Sequence, residues 1–313
     1  MNTLAVDLGG SGIKIGFACD GSLKKTFALP VRTGVSVVDA LENVFSEVRK
    51  MLGEGEMRSI CKVGYAYPGL VNYGEKRIVS ASGKYADAAD FDLGGWTRER
   101  FGCDYFVEND GNAALIGEIS DGCAAGETDA VMMILGTGVG TAAVMDGRLV
   151  RGKHFQAGCL GGHFPTELDG RRCSCGGRGC VEANCGTWAL GGLARSHPAY
   201  DGSPMKNEEK IDFRVLEKYL DSGDPVAADV FGRCLRAWSN CVISLIYAFD
   251  PEIVILSGGV MKMGDKVLSP LKRSVLERAW TPWGSVRFAV SREPEKSVLK
   301  GLCRLAGEED NYS

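Results

Sequence analysis

The sequence contains no apolar run that approaches the roughly 18 residues of a membrane span. Its N-terminus, MNTLAVDLGG, lacks the charged flank and apolar stretch of a signal peptide and is typical of a strand. Basic residues are not in excess, since the net charge of −4 disfavours a nucleic-acid partner. These absences predict a cytoplasmic protein without a membrane or nucleic-acid partner. The 313 residues, 45% of them hydrophobic, suffice for two domains.

Cysteine is abundant, with twelve residues in the chain. Without an export signal, scattered cysteines are best interpreted as reduced thiols in the core. Nine fit this description: Cys19, Cys61, Cys103, Cys123, Cys159, Cys185, Cys234, Cys241 and Cys303. Of these, Cys159 and Cys185 flank the remaining three and could also be spare ligands or redox-active.

The other three cysteines lie in the stretch GGHFPTELDGRRCSCGGRGCVE. His163, Cys173, Cys175 and Cys180 are the ligand set of a closed, tetrahedral Zn²⁺ site. Cys173 and Cys175 are too close in sequence to bridge each other easily. Nearby glycines let the backbone fold tightly around a metal. The sequence therefore predicts a structural zinc knuckle at 163–180; the alternative is a loop with free or disulfide-bonded cysteines.

Two segments of the chain resemble each other at an offset of 126. In each, an apolar strand runs into a Gly-Ser/Thr-Gly turn, and a second strand ends at an Asp-Gly hairpin signal. Small turn residues and a hydroxyl let backbone amides approach a phosphate. The spacing in 136–140 does not fit a dinucleotide fingerprint, because a strand follows instead of a helix. The alternative is two glycine-rich turns without a ligand. The turn residues are Gly10, Ser11 and Gly12 in the first copy and Gly136, Thr137 and Gly138 in the second.

The remaining segments alternate in type, which indicates an α/β protein. The spacing of Val38, Leu41, Val44 and Val48 predicts a helix, and Asp110 is placed to cap another. A long helix is predicted to begin at Asp224-Pro225. Further strands are expected at 62–67, 104–107 and 253–256, the last running into the turn Ser257-Gly258-Gly259.

These motifs resemble the ROK family of sugar kinases and repressors, which includes bacterial glucokinases and N-acetylmannosamine kinases. The resemblance covers nearly the whole chain, and its most specific motif is the knuckle, Gly-His followed by Cys-x-Cys-Gly-x-x-Gly-Cys-x-Glu. The other matching segments are Asp7-Leu8-Gly9-Gly10-Ser11, Val107-Glu108-Asn109-Asp110-Gly111-Asn112-Ala113-Ala114, Leu135 to Gly140, and Ser257-Gly258-Gly259-Val260.

The resemblance implies two actin-like (ribonuclease-H-like) α/β domains around a central cleft. The expected N-terminal domain comprises 1–112 plus 291–313, and the C-terminal domain comprises 113–290. It further implies ATP with Mg²⁺, a hexose, and a homodimer. Asp110 is the expected general base, with Gly69, Asn109, His163 and Glu182 as sugar ligands; the expected ATP and phosphate residues are Asp7, Gly9, Gly10, Ser11, Gly136, Thr137, Gly138, Gly258 and Gly259.

Simpler roles remain open for several of these residues. Asp110 could be only a helix cap, Asp7 a turn residue at a strand end, and Glu182 a solvated carboxylate. Lys14 follows the first turn and could reach a phosphate, although a surface lysine on a strand is the simpler interpretation.

The chain departs from the family pattern at two places. Members usually carry glutamate three residues before the zinc histidine, where it contacts the sugar near its anomeric end, and here that residue is Leu160. The pocket is therefore expected to disfavour plain glucose or to recognise that end of the sugar differently. The second departure is the segment 82–87, in which Lys84 and Asp87 could contact an unusual sugar or simply be solvated.

The leading hypothesis is an ATP-dependent kinase of a hexose or modified hexose, acting at the 6-hydroxyl. A repressor of the same family would need a helix-turn-helix ahead of Asp7, for which the sequence leaves no room. A weakly active sugar sensor is motivated by Leu160, but the phosphate turns argue against it. A zinc-ribbon interaction protein does not explain the duplicated hairpins.

Overall fold

The computed structural model describes residues 1–9, 12–31, 34–81 and 85–307. Contacts divide the chain into two compact units, the first comprising 1–128, 146–157 and 292–313, and the second 129–145 and 158–291. The boundary expected at 112/113 falls inside a helix, Asp110–Asp121, that lies in the first unit. The first unit also takes in 146–157, a segment that the sequence-based division placed in the C-terminal domain.

The first unit is a mixed sheet with helices packed on it. Its apolar residues alternate with polar ones in the outer strand and form continuous buried runs in the central strands, as expected where both faces are covered. Its elements are β1 (Asn2–Asp7), β2 (Gly12–Cys19), β3 (Ser22–Pro30), α1 (Val37–Met51), α2 (Glu54–Arg58), β4 (Ile60–Tyr67), β5 (Gly69–Asn72), β6 (Arg77–Ala81), α3 (Leu93–Phe101), β7 (Asp104–Asn109) and α4 (Asp110–Asp121).

Five of these strands form one sheet in the order β3-β2-β1-β4-β7. The pairs β3/β2 and β2/β1 are antiparallel, whereas β1/β4 and β4/β7 are parallel. The strands β5 and β6 make a separate two-stranded ribbon. The parallel strands β1, β4 and β7 therefore end at the same edge of the sheet, which brings residues distant in sequence together there.

The second unit repeats this arrangement with additional helices. Its longest helix begins at Pro225 with Asp224 as N-cap, as the sequence predicts. The remaining elements of the chain are β8 (Ala130–Leu135), β9 (Val139–Met145), β10 (Arg148–Leu149), α5 (Val181–Cys185), α6 (Thr187–Arg195), α7 (Phe213–Asp221), α8 (Pro225–Phe249), β11 (Ile253–Ser257), α9 (Asp265–Arg278), β12 (Arg287–Val290) and α10 (Pro294–Gly307), of which β10 and α10 belong to the first unit.

The strand pairing confirms the duplication seen in the sequence. β8 pairs with β9 antiparallel and with β11 parallel, just as β1 pairs with β2 and β4, and β12 extends the sheet in parallel. Asp20-Gly21 and Asp146-Gly147 both adopt positive φ, at 48° and 76° in the first copy and 49° and 74° in the second. Such turns match the twist of the flanking strands, which explains the Asp-Gly pair in each copy.

None of the helices in the described ranges combines the length and apolarity needed to cross a membrane.

Candidate functional site

Three of the predicted site residues lie at the carboxyl edge of the first sheet. Asp7 ends β1 and stands opposite Ala66 of β4, while Tyr67, which ends β4, stands opposite Asn109 at the end of β7. Gly69 follows β4 after a single proline. Ligands in open α/β sheets typically bind at such an edge, because strand ends meet there and backbone groups are left unpaired.

Asp7 forms an ion pair with Lys14. The two residues are directly opposite on the hairpin β1–β2, and Lys14 Nζ lies 2.9 Å from Asp7 Oδ2. The side chain of Asp7 is almost fully buried, while that of Lys14 is one-third exposed, at 35%. Burial raises the pKa of Asp7, and the Lys14 ammonium opposes this effect. Lys14 is thus a partly exposed lysine on a strand, in line with the simpler interpretation, and its ammonium is paired with Asp7.

Asp110 is the first residue of α4. Its Oδ1 accepts a hydrogen bond from the amide of Gly111 at 2.8 Å. Desolvation of the carboxyl group, followed by the nearby charge of Asp7, raises the pKa of Asp110 to about 7. The Gly111 amide and Lys14 act in the opposite direction but are weaker. A carboxylate with a pKa near neutrality is suited to accept a proton at pH 7.

Asn109, and not Asp110, is the N-cap of α4. Its side-chain oxygen accepts from the amide of Asn112 at 3.1 Å, so the sequence-based assignment of the cap to Asp110 was one residue off. Asn109 Nδ2 donates to the carbonyl of Gly69 at 3.1 Å. Because Asn109 caps the helix, the carboxylate of Asp110 is not needed as the N-cap.

Part of the first phosphate turn, Gly10 and Ser11, lies outside the described residues, as does Lys84. Gly9 is among the described residues and lies two positions after the end of β1, close to the carboxylate of Asp7. Asp87, considered as a sugar contact, instead accepts from the first amide of α1: both of its oxygens lie near Val37 N, at 3.0 and 3.1 Å. Its carboxylate therefore stabilises the N-terminus of that helix.

The second phosphate turn connects β8 and β9 in the second unit. The amide of Gly136 donates to the carbonyl of Gly138, and the carbonyl of Gly136 accepts from Thr187 Oγ1 at 2.7 Å. Thr137, at the tip, is exposed. Gly258, which follows β11, has φ of 95°, and a Cβ there would lie 2.2 Å from the carbonyl of Leu135. Only glycine fits this position, because the backbone after β11 lies directly against the end of β8.

Glu182 lies in the first turn of α5, and one residue, Val181, separates it from Cys180, the last cysteine of the knuckle. Its Oε2 accepts from the amide of Val139 at 2.9 Å, and its Oε1 accepts from Trp188 Nε1 at 3.1 Å. The predicted sugar ligand is thus hydrogen-bonded to the residue that follows the second phosphate turn, and it is not a solvated carboxylate.

His163 and the three cysteines of the knuckle form one cluster. Their ligand atoms all lie within 4.8 Å of one another. His163 Nδ1 is 3.6 Å from Cys173 Sγ, and Cys175 Sγ is 3.6 Å from Cys180 Sγ. A tetrahedral Zn²⁺ with bonds of about 2.3 Å to sulfur and about 2.0 Å to nitrogen requires separations of roughly 3.6–3.8 Å. The cluster therefore fits zinc.

The knuckle is fixed to the second sheet through the residues before His163. The amide of Gly161 donates to Thr141 Oγ1 of β9, which itself donates to the carbonyl of Gly158. A Cβ at Gly162 would lie 2.0 Å from the carbonyl of Val139. The pair of glycines is needed because the loop lies directly on the strand. Leu160, half-buried, opens this short helical turn.

Every cysteine in the part of the chain that the structure describes is free of disulfide bonds. Cys159 and Cys185 lie outside the four-residue cluster, so neither is a spare ligand in this arrangement. Among the nine scattered cysteines, four are buried as predicted and Cys61 is exposed. The buried ones are Cys185, Cys234, Cys241 and Cys303, and the half-buried ones are Cys19, Cys103, Cys123 and Cys159.

Three contacts at these sites were not found from the sequence. One is the Asp7–Lys14 pair described above. The second is a buried ion pair of Glu108 and Arg151, and the third is the bond from Trp188 to Glu182. The register of the first hairpin could have revealed Lys14, since residues opposite on adjacent strands are neighbours. The second joins residues 43 positions apart, and the third depends on how α6 packs against α5.

Comparison with known proteins identifies the family. The sequence pattern of the ROK family matches residues 3–308. The glucokinase of Thermotoga maritima is 30% identical over 284 residues, 88% of each chain, and that of Streptomyces coelicolor is 29% identical over 325 residues, 98% of each. The structure is similar, with a TM-score of 0.80 and 26% identity, to a ROK family glucokinase from Streptomyces griseus in complex with glucose and AMPPNP, covering 97% of this chain and 99% of that one. The chain therefore belongs to the ROK family and has its two-domain, actin-like α/β fold.

Proposed function

We propose that this ROK-family chain is a cytoplasmic sugar kinase that transfers phosphate from ATP to the 6-hydroxyl of a hexose or modified hexose. The related glucokinases support sugar phosphorylation as the class of reaction. The observation that carries the proposal is the carboxylate of Asp110, whose pKa is raised to about 7 at the carboxyl edge of the first sheet.

Asp110 is the proposed general base. Its deprotonated carboxylate takes the proton of the sugar hydroxyl as that oxygen forms a bond to the γ-phosphorus and the bond from phosphorus to ADP breaks. Asn109 holds the neighbouring position by capping α4 and by donating to Gly69. This arrangement fixes the backbone that carries the base, which matters because phosphoryl transfer depends mainly on positioning.

The phosphates of ATP are assigned to the two glycine turns. Gly136, Thr137, Gly138, Gly258 and Gly259 present backbone groups in the second unit, and Asp7 with Gly9, Gly10 and Ser11 forms the proposed counterpart in the first. Asp7 offers a carboxylate, the donor that Mg²⁺ prefers, with one of its oxygens paired to Lys14. Bound Mg²⁺ would neutralise charge on the phosphates.

The zinc cluster has a structural role in this proposal. His163, Cys173, Cys175 and Cys180 would hold the ion, which cross-links the loop ahead of α5. That loop leads into α5, which carries Glu182, so the knuckle helps to fix the position of this proposed sugar ligand. His163 offers Nδ1 to the cluster, which leaves its other ring nitrogen for a sugar hydroxyl.

A panel of hexoses, hexosamines and sugar derivatives, assayed for ADP release, tests the proposal. Turnover with at least one sugar is expected, and ³¹P and ¹³C NMR of the product should place the phosphate at carbon 6. A protein that binds a sugar by calorimetry but turns over no member of the panel would instead be a sensor or regulator. Light scattering tests the homodimer, which the family resemblance supports.

A further inference from the structure

A buried ion pair of Arg151 and Glu108 contacts the segment that carries the proposed catalytic residues. Arg151 Nη2 is 2.7 Å and Nε is 3.0 Å from Glu108 Oε2, so the guanidinium binds the carboxylate through two of its nitrogens. The side chains of Arg151 and Glu108 are only 10% and 5% exposed. Glu108 is the residue immediately before Asn109 and Asp110.

The other oxygen of Glu108 binds the backbone that carries those residues. Glu108 Oε1 accepts from the amide of Asn109 at 2.8 Å and from Asn112 Nδ2 at 3.0 Å. One carboxylate therefore connects Arg151 to the end of β7 and to the first turn of α4. The same carboxylate therefore restrains residues on both sides of Asp110, Asn109 through its backbone amide and Asn112 through its side chain.

The guanidinium of Arg151 also lies over an aromatic ring. Its guanidinium lies 4.2 Å from the centre of the Tyr73 ring, close enough for a cation–π interaction. Tyr73 in turn makes an edge-on contact with Phe155, at 6.0 Å between ring centres. Arg151 and Phe155 both belong to 146–157, the segment that joins the first unit although its sequence neighbours lie in the second.

These contacts form a continuous ring that begins and ends at Asn109. Tyr73 follows β5, which begins at Gly69, and the carbonyl of Gly69 accepts from Asn109 Nδ2. Starting from Asn109, the path leads through β5 to Tyr73, then through Arg151 to Glu108, and back to the amide of Asn109. Each step is a hydrogen bond, a ring contact or a covalent segment within the first unit.

We propose that Arg151 is a positioning residue that acts through Glu108 to fix Asn109 and Asp110 for phosphoryl transfer. The inference rests on the proposed function. Burying two charges is costly, and apolar side chains of similar volume often stabilise a fold equally well. A buried pair whose remaining hydrogen bonds go to the catalytic turn provides geometric precision, which an apolar pair in its place would not.

Kinetics of the full-length protein test this role. Arg151→Met should lower kcat about 10- to 100-fold, the loss typical of a small displacement of a reacting group. The KM for ATP should stay within about twofold, and Arg151→Lys should restore part of the rate.

The double variant Arg151→Met with Glu108→Gln should be no slower than Arg151→Met alone, because both changes interrupt one path. Arg100→Met, which removes a partly exposed pair with Glu42 in the same unit, is the control and should keep full activity.

Two results would overturn the inference. One is an Arg151→Met protein with a lower melting temperature but an unchanged kcat per mole of folded enzyme, which would indicate a purely structural pair. The other is a crystal structure of that variant in which the Asn109-Asp110 turn superimposes on the wild type. The crystal structure decides the question even if the wild type phosphorylates no sugar, an outcome that would instead refute the proposed function.

Discussion

The carboxylate of Glu182 accepts a hydrogen bond from the amide of Val139, with a separation of 2.9 Å. The first of these residues is assigned to the sugar, and the second follows the turn assigned to the phosphates. The other carboxylate oxygen accepts from Trp188 Nε1, so the side chain is held from both sides. The proposed sugar and phosphate sites of the second unit therefore share one side chain.

Replacing Glu182 should weaken sugar binding. Glu182→Gln keeps the shape but removes the charge that strengthens its hydrogen bonds, and we expect the KM for the sugar to rise about 10- to 100-fold. Trp188→Phe removes one donor and should raise this KM by less than about tenfold. Trp280→Phe, at an exposed tryptophan elsewhere in the same unit, is the matched control. An unchanged sugar KM in Glu182→Gln would show that Glu182 only stabilises the turn.

The raised pKa of Asp110 determines how activity depends on pH. The base must be deprotonated to accept a proton, so kcat/KM should fall about tenfold per pH unit below pH 7. Asp110→Asn should lose roughly 10²- to 10⁴-fold in kcat while still binding the sugar in calorimetry. A wild-type profile that stays flat down to pH 5 would contradict the assignment of Asp110 as the base.

The same pKa has a consequence for stability. Asp110 titrates at an ordinary 3.8 in the unfolded chain and at about 7 in the folded protein, so the folded state binds a proton more tightly. This group therefore destabilises the fold as the pH rises from about 4 to 7. Asp110→Asn, which is always neutral, should be more stable than the wild type at pH 8, by on the order of a few kcal/mol. The difference should vanish below about pH 4; urea titrations at the two pH values measure it.

The charge of Lys14, on β2, acts on the proposed base Asp110. Its positive charge lowers the pKa of Asp110 and opposes the rise in that of Asp7. Lys14→Met should therefore move the acidic limb of the kcat/KM profile to higher pH and reduce activity several-fold at pH 7. The exposed Lys24 on β3 provides the control, Lys24→Met. If both variants show the same acidic limb as the wild type, Lys14 does not act on Asp110.

The zinc assignment predicts a metal content and a dependence of folding on it. The purified protein should contain about one zinc per chain, by inductively coupled plasma mass spectrometry. Cys175→Ser should lose most of the metal and lower the melting temperature markedly, because the energy of a structural zinc site contributes directly to folding. Cys61→Ser, at an exposed cysteine outside the cluster, should change neither quantity. Full zinc content in Cys175→Ser would rule out this ligand set.

The features that the sequence predicted correctly depend on local chemistry. The Asp-Gly turns, the clustering of His163 with the three knuckle cysteines and the Asp224-Pro225 helix start each follow from short stretches of sequence. The contacts that it missed depend on how side chains pack in three dimensions: Glu108 and Arg151, for example, are 43 residues apart, and their pairing requires that 146–157 pack on the first unit. Trp188 and Glu182 are close in sequence but lie on different helices, α6 and α5, so their contact depends on how these helices pack. Packing between such elements leaves no periodic pattern in the sequence.

Leu160 provides the test of sugar preference. It stands where the family pattern has a glutamate, three residues before His163, and it is half-buried at the start of the helical turn that carries that histidine. Leu160→Glu would add a charged acceptor for a sugar hydroxyl, worth roughly 1.5–3 kcal/mol when its partner is otherwise unpaired. We therefore expect kcat/KM for unmodified glucose, relative to the best modified sugar of the panel, to rise about 10- to 100-fold. Leu168→Glu, at a fully exposed leucine in the following loop, adds the same charge away from the turn and should leave this ratio unchanged. Equal ratios in the two variants would show that the side chain at position 160 does not contribute to the choice of sugar.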